Sequence, residues 1–240
     1  MASSGRRRRA SRPGPGARLR VSATAVRETD TTPARRSGID RGVMAVFAGL
    51  MLGSLIASLN LTLVAPALPT IVSELGGIAD YSWIPISAML ASTIVVPVAG
   101  KLSDIYGRKP LYMTGVVVFA VGSALSGIAP NFWFLVFARF VQGAGMGFIM
   151  PLSQAIIGDI ISPRERGKYQ GLMGASFGLA SIVGPAAGGF ITDHFSWRWL
   201  FFVNLPFAVL TLVVVALYMH VPNERRKHAI DVWGSVTLSL

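Results

Sequence analysis

Residues Gly100 to Pro110, reading GKLSDIYGRKP, form a short charged island between two long apolar runs, Ser82–Ala99 and Leu111–Ala129. Each run is long enough to cross a bilayer, which takes about 20 apolar residues at about 1.5 Å rise each. The island therefore belongs in water at a membrane face. Its Lys101, Arg108 and Lys109 outweigh Asp104, and an excess of Lys and Arg on a short loop marks the cytoplasmic side. Hydrocarbon leaves no water for backbone groups, so long apolar runs of this kind fold as helices that pair their own amides.

The same alternation runs along the chain. Six spans are predicted at about 43–68, 82–100, 111–129, 132–157, 169–191 and 199–220. Loop 69–81 carries Glu74 and Asp80 but no Lys or Arg, and loop 129–131 carries no charge. Loops 101–110, 158–168 and 221–231 each carry three Lys or Arg, and only Arg198 breaks the pattern. The basic loops and the N-terminus are expected in the cytoplasm, with the chain in the plasma membrane. Trp83, Trp133, Trp197 and Trp199 are expected at the outer boundary, where amphipathic rings settle at headgroup depth, and Trp233 at the inner one.

Composition narrows the function. The 240 residues are 52% hydrophobic and 14% charged, against about 25% charged in soluble globular chains. A net charge of +11 would raise nucleic-acid binding for a soluble protein. Here, however, 11 of the 22 basic residues are arginines in the first 41 positions and nine more sit in three short loops, so no nucleic-acid partner is expected. The absence of cysteine removes disulfides, thiolate metal sites and thiol nucleophiles. His194, His220 and His228 are too scattered for a metal site, and no cofactor is expected. Gly143–Gly147 lies inside an apolar span with no strand before it, which excludes a dinucleotide loop. No enzyme motif is present.

Three segments follow. Residues 1–41, with Arg6–Arg9 and Pro13–Gly16, read as a disordered basic cytoplasmic tail, suited to touching anionic lipid or to enforcing topology. Residues 42–222 read as a six-helix transmembrane bundle. Residues 223–240 read as a cytoplasmic loop and the start of a seventh span at Val232, with at least as many residues expected again downstream.

Polar residues inside the spans carry the chemistry. An arginine within a span costs about 2.5–3.5 kcal/mol on insertion and faces a cavity or a partner. Arg139 is such a residue, and Gln142 lies one turn on along the same face. Asn60 comes out at similar depth, counted from the outer ends. The partners open to Arg139 are the Asn60 oxygen, Gln142, backbone carbonyls, a substrate or a residue beyond this chain. An amide at position 60 carries no proton and balances no cation. In span five, Gly174, Gly178, Ser181, Pro185 and Gly188 fall on one stripe, which is expected to admit another helix backbone. Pro185 frees the Ser181 carbonyl and predicts a kink.

Four motifs in order bear a resemblance to one family. Gly100, Leu102, Asp104, Gly107, Arg108 and Lys109 fit the G-x-L-x-D-x-x-G-R-K signature between spans two and three of the major facilitator superfamily. The stretch Leu59 to Pro69 resembles the L-D-x-T-I-V-x-x-A-L-P motif of its fourteen-span drug:proton antiporter branch, with Asn60 in place of the usual aspartate. Arg139, Gln142, Gly143 and Gly145 are similar to R-x-x-Q-G-x-G in span four, and Gly184, Pro185, Gly188 and Gly189 to the G-P-x-x-G-G element of antiporters. Ser196-Trp197-Arg198-Trp199 with Asn204 and Pro206 is similar to a further motif of that branch.

The resemblance implies an all-α major facilitator fold, here its N-terminal half with two inverted three-helix repeats. It implies a secondary exporter of small, partly apolar molecules of drug or antibiotic type, exchanged for protons by alternating access. Asn60, Arg139 and Gln142 would serve the substrate or proton pathway. Gly100, Asp104, Gly107, Arg108 and Lys109 would form a gating loop, with Ile105 where a basic residue is usual. Gly174, Gly178, Gly184, Pro185, Gly188 and Gly189 would form the antiporter helix motif. The competing readings are a proton-coupled importer on the same fold and a truncated membrane sensor.

Overall fold

The computed structural model describes residues 41–219. The tail expected before Arg41, the loop after span six and the start of a seventh span lie outside the described residues. The described regular structure is helical throughout: α1 (Arg41–Leu63), a 3-10 turn (Ala65–Ala67), α2 (Leu68–Leu75), α3 (Trp83–Tyr106), α4 (Arg108–Gly127), α5 (Phe132–Ile160), α6 (Arg166–His194), α7 (Trp199–Phe202) and α8 (Asn204–Tyr218). These make six apolar segments long enough to cross a membrane.

Proline sets several boundaries differently from the apolar pattern. Pro66 has no amide hydrogen to continue the α1 ladder, so the chain tightens into a 3-10 turn and restarts as α2 with Pro69 in its first turn. Span one therefore continues to Leu75, through part of the expected loop. Span six is divided at Val203 into α7 and α8. By contrast, α6 runs through Pro185 without a break in its helix.

The charged island is also more ordered than a loop. α3 continues to Tyr106, which puts Lys101 and Asp104 on its last two turns, and Gly107 alone separates it from α4. Gly107 has φ 91°, a conformation open to glycine and strained for other residues.

Helix pairing reveals an internal repeat. α5 packs on α3 and α4, α1 packs on α6 and α8, and α4 meets α8. Exchanging the first three spans for the second three turns α5–α3 into α1–α6 and α5–α4 into α1–α8, and leaves α4–α8 as it is. Spans one and four run in opposite directions, so the exchange inverts the topology. Close approach at the centre depends on glycine: a Cβ on Gly143 would overlap the Ala88 carbonyl of α3, and one on Gly145 would overlap the Phe119 backbone of α4. α5 is thus flush against two neighbours at once.

Two apolar clusters fill the bundle. One, toward the basic end, includes Phe47, Leu50, Tyr112, Phe119 and Ile149. The other, toward the opposite end, includes Ile71, Ile84, Leu135, Trp197 and Phe201. Trp197 corrects the boundary reading for that residue, because it is fully buried in the core while Trp83, Trp133 and Trp199 are exposed.

Candidate functional site

Between the two apolar clusters lies a polar layer. Asn60 projects from the last turn of α1, Arg139 and Gln142 from one face of α5, and Ser123 from α4. Arg139 Nη1 donates to Asn60 Oδ1 at 2.5 Å and to Gln142 Oε1 at 2.7 Å. Gln142 Nε2 donates to Ser123 Oγ at 3.0 Å, and Ser123 Oγ donates to the Phe201 carbonyl at 2.8 Å. The Phe201 ring centroid stands 5.8 Å from the guanidinium carbon. One network therefore ties α1, α4, α5 and α7.

Burial is nearly complete. Asn60, Gln142 and Ser123 are 0% exposed and Arg139 is 1% exposed. Arg139 sits inside the bundle, with almost none of its surface open in this conformation. Its acceptors are neutral amide oxygens. Among the described residues the ion pairs are Arg108–Asp159 and Arg198–Glu74, neither of which involves Arg139. Sequence reasoning missed Ser123, since a lone serine in an apolar span gives no signal.

At the basic end, the signature residues reach different neighbours. Arg108 Nε pairs with Asp159 Oδ2 at 2.7 Å, and Lys109 Nζ donates to the Ala216 and Met219 carbonyls at 2.9 and 2.8 Å. Lys109 thereby caps the C-terminal end of α8. Asp104 is exposed, as is Gly100, which has open space around it. Asp159 escaped the sequence reading because it sits at the end of α5, where it looked like one loop charge among several.

On α6 the expected stripe divides. Gly184 lies against Thr62 and Gly188 against the Leu63 carbonyl and Pro66, while Gly174, Gly178 and Gly189 have nothing within 4 Å among the described residues. Pro185 and Ser181 are exposed. The face that packs on α1 runs through Ser176, Ala180, Gly184 and Gly188. Thr62 Oγ1 donates to the Ala180 carbonyl at 3.0 Å and holds this contact in register.

At the opposite end, Trp197 Nε1 donates to Glu74 Oε2 at 2.8 Å, and Arg198 Nη1 reaches the same oxygen at 3.2 Å. The Arg198 guanidinium covers the Trp197 ring at 4.4 Å and also donates to the Ala129 carbonyl at 3.3 Å. The charge that broke the loop pattern is thus a clamp between α2, the end of α4 and the turn before α7.

Inverted three-helix repeats with a polar layer at their junction are an architecture known from the halves of secondary membrane transporters. The profile of the Major Facilitator Superfamily matches residues 50–237. The chain is 41% identical over 209 residues to multidrug resistance protein 3 of Bacillus subtilis (strain 168), covering 87% of this chain and 40% of that protein. It is 37% identical over 193 residues to multidrug transporter protein MdtP of the same organism, covering 80% and 36%. Its fold matches a D-xylose-proton symporter with TM-score 0.65 at 18% identity, covering 82% of this chain and 53% of that one. The human organic anion transporter MFSD10 matches with TM-score 0.62 at 23% identity, covering 76% and 49%. The chain belongs to the Major Facilitator Superfamily. It spans about two fifths of the length of these curated relatives.

Proposed function

We propose that this chain is the N-terminal half of a proton-coupled exporter of small, partly apolar molecules of drug or antibiotic type. The observation that carries the reading is 41% identity over 87% of the chain to a relative named for multidrug resistance. The transport cycle would rock this half against a second half further along the protein, with the basic loops in the cytoplasm and the chain in the plasma membrane. Gly100, Asp104, Gly107, Arg108 and Lys109 would gate the cytoplasmic side. Gly174, Gly178 and Gly189 on the open face of α6, with Gly184, Pro185 and Gly188 nearby, would meet the other half.

Arg139, Asn60 and Gln142 serve the cycle from inside the bundle in this reading. A guanidinium with only neutral acceptors adds positive potential to this half, so neutral and anionic substrates are favoured over lipophilic cations. The proton carrier then lies outside this half. The test is export from a host lacking its own pumps, with the full-length protein and a panel of anionic, neutral and monovalent cationic dyes. Efflux of neutral or anionic dyes that collapses with the proton gradient supports the reading. Uptake driven by an inward proton gradient replaces it with import. Strong cation export that Asn60→Asp does not improve removes the charge argument.

A further inference from the structure

Residues 93–100 read TIVVPVAG and residues 181–188 read SIVGPAAG, 88 positions apart. The first stretch lies in α3 and the second in α6, the two helices that exchange places in the inverted repeat. The packing keeps the same register. Ser92 lies against Gly147 of α5, and its counterpart Ala180 takes the bond from Thr62 of α1. Each stretch carries its proline at the same place. Proline offers no amide to the carbonyl four residues earlier, which is Thr93 in α3 and Ser181 in α6. The hydroxyls at those positions are engaged one turn back, Thr93 Oγ1 on the Met89 carbonyl and Ser181 Oγ on the Phe177 carbonyl, each at 2.9 Å. A helix that lacks one bond of its ladder bends most easily there.

The two prolines differ in what holds the helix beyond them. In α6, Gly188 abuts the Leu63 carbonyl and Pro66, and Ala187 and Ile191 pack on the apolar cluster at that end. In α3, the matching Gly100 has open space around it, and among the described residues nothing from 98–106 joins either apolar cluster. The buried positions of that stretch are Ala99 and Ser103, both small, and Ser103 Oγ donates to the Gly100 carbonyl of its own helix at 2.7 Å. Small inward side chains allow the stretch to shift without opening a large cavity. At its far end stands Gly107 with φ 91°. Beyond Gly107, α4 is fastened by Arg108 to Asp159 and by Lys109 to the end of α8.

We propose that residues 98–106 of α3 form a rigid arm, hinged at Pro97 and Gly107, that swings against α5 while the rest of this half stays still. At about 1.5 Å per residue the arm is about 14 Å long, so a change of about 20° at Pro97 carries Tyr106 about 5 Å. The arm divides the charged island. Lys101 and Asp104 travel with α3, whereas Arg108 and Lys109 stay with α4. Pro185 is the same device held still by α1. The motion belongs to this half alone and does not need the exporter reading.

The 240 residues contain no cysteine, which suits them to paired nitroxide labels. The experiment uses the full-length protein in lipid nanodiscs, with any cysteine elsewhere in it replaced. Labels at Tyr106→Cys and Gln154→Cys report the arm against α5, and labels at Leu61→Cys and Asp193→Cys report α6 against α1. Double electron–electron resonance should give two populations for the first pair, separated by about 5 Å, and one narrow population for the second. Pro97→Ala restores the missing amide and should reduce the first pair to one population, while Pro185→Ala should leave the second pair as it was. One population for the first pair in the unmodified protein overturns the proposal, as do two that persist in Pro97→Ala. Two populations for the second pair, removed by Pro185→Ala, would overturn the assignment of the hinge to α3 alone.

Discussion

Arg108 Nε lies 2.7 Å from Asp159 Oδ2 and joins the start of α4 to the last turn of α5. Spans three and four are thereby tied at the basic end. The pair is partly exposed, with side chains at 26% and 44%, so its contribution to stability is about 0.2–1 kcal/mol after screening. Arg108→Ala should move Tm little. If the pair acts in gating, transport should fall in each single variant and recover in the exchange Arg108→Asp with Asp159→Arg. Equal transport by all three variants would make the pair structural ornament.

Asp104 gives a cleaner separation of stability from activity. It is exposed on the last turn of α3, and Arg108 turns to Asp159 instead. Asp104→Asn should leave membrane insertion and Tm unchanged, while reducing transport if the gate reading is right. Wild-type transport rates in that variant would reduce the island to a topology signal.

Lys109 caps α8 through two carbonyls. Lys109→Met keeps the aliphatic stem and removes the charge, so α8 should lose about 0.3–1 kcal/mol at its end. Hydrogen exchange of the amides near Met219 should speed up, with the rest of the bundle unaffected. Uniform protection along α8 in the variant would contradict the capping role.

Glycines on α5 and α6 should behave oppositely. Gly143→Ala forces a methyl into the Ala88 carbonyl, and overpacking of that kind costs about 1–3 kcal/mol. Gly174→Ala meets nothing within 4 Å among the described residues, so the fold of this half should tolerate it. A loss of transport with normal Tm in Gly174→Ala would point to a partner surface on that face. Comparable destabilisation by both changes would refute the assignment of the close contact to α5.

Trp197 and Trp199 make a matched pair two residues apart. Trp197 is fully buried and Trp199 is 55% exposed. Trp197→Ala should destabilise by about 3–5 kcal/mol, and Trp199→Ala by much less. Denaturation of the two variants in detergent gives the comparison directly, and similar midpoints would contradict the buried placement of Trp197.

The fold was legible because the bilayer imposes a coarse rule, and apolar runs between basic loops obey it. Residue-level detail followed other forces. α3 runs through Pro97 and on to Tyr106, where Gly107 ends it, and charges do not end a helix that projects into water. Trp197 reads from sequence like any interfacial tryptophan, yet Glu74, from a distant helix end, satisfies its indole and allows burial. The spacing of Gly174, Gly178, Ser181, Pro185 and Gly188 suggested one packed face, whereas α1 takes a face through Ala180, Gly184 and Gly188 and leaves Gly174, Gly178, Ser181 and Pro185 outside it. Asn60 and Arg139 were matched in depth by counting residues. Their burial inside a single half followed from glycine contacts between helices, which counting along one span does not reveal.

The bond from Arg139 to Asn60 also bears on how the protein is made. Asn60 precedes Arg139 by 79 residues, a delay of about 4–16 s at ribosomal rates of 5–20 residues per second. α1 has therefore emerged well before the span that carries the guanidinium. The most awkward side chain of the bundle enters the bilayer with an acceptor already synthesised. Order of synthesis here runs in the direction that spares a lone charge from meeting lipid first.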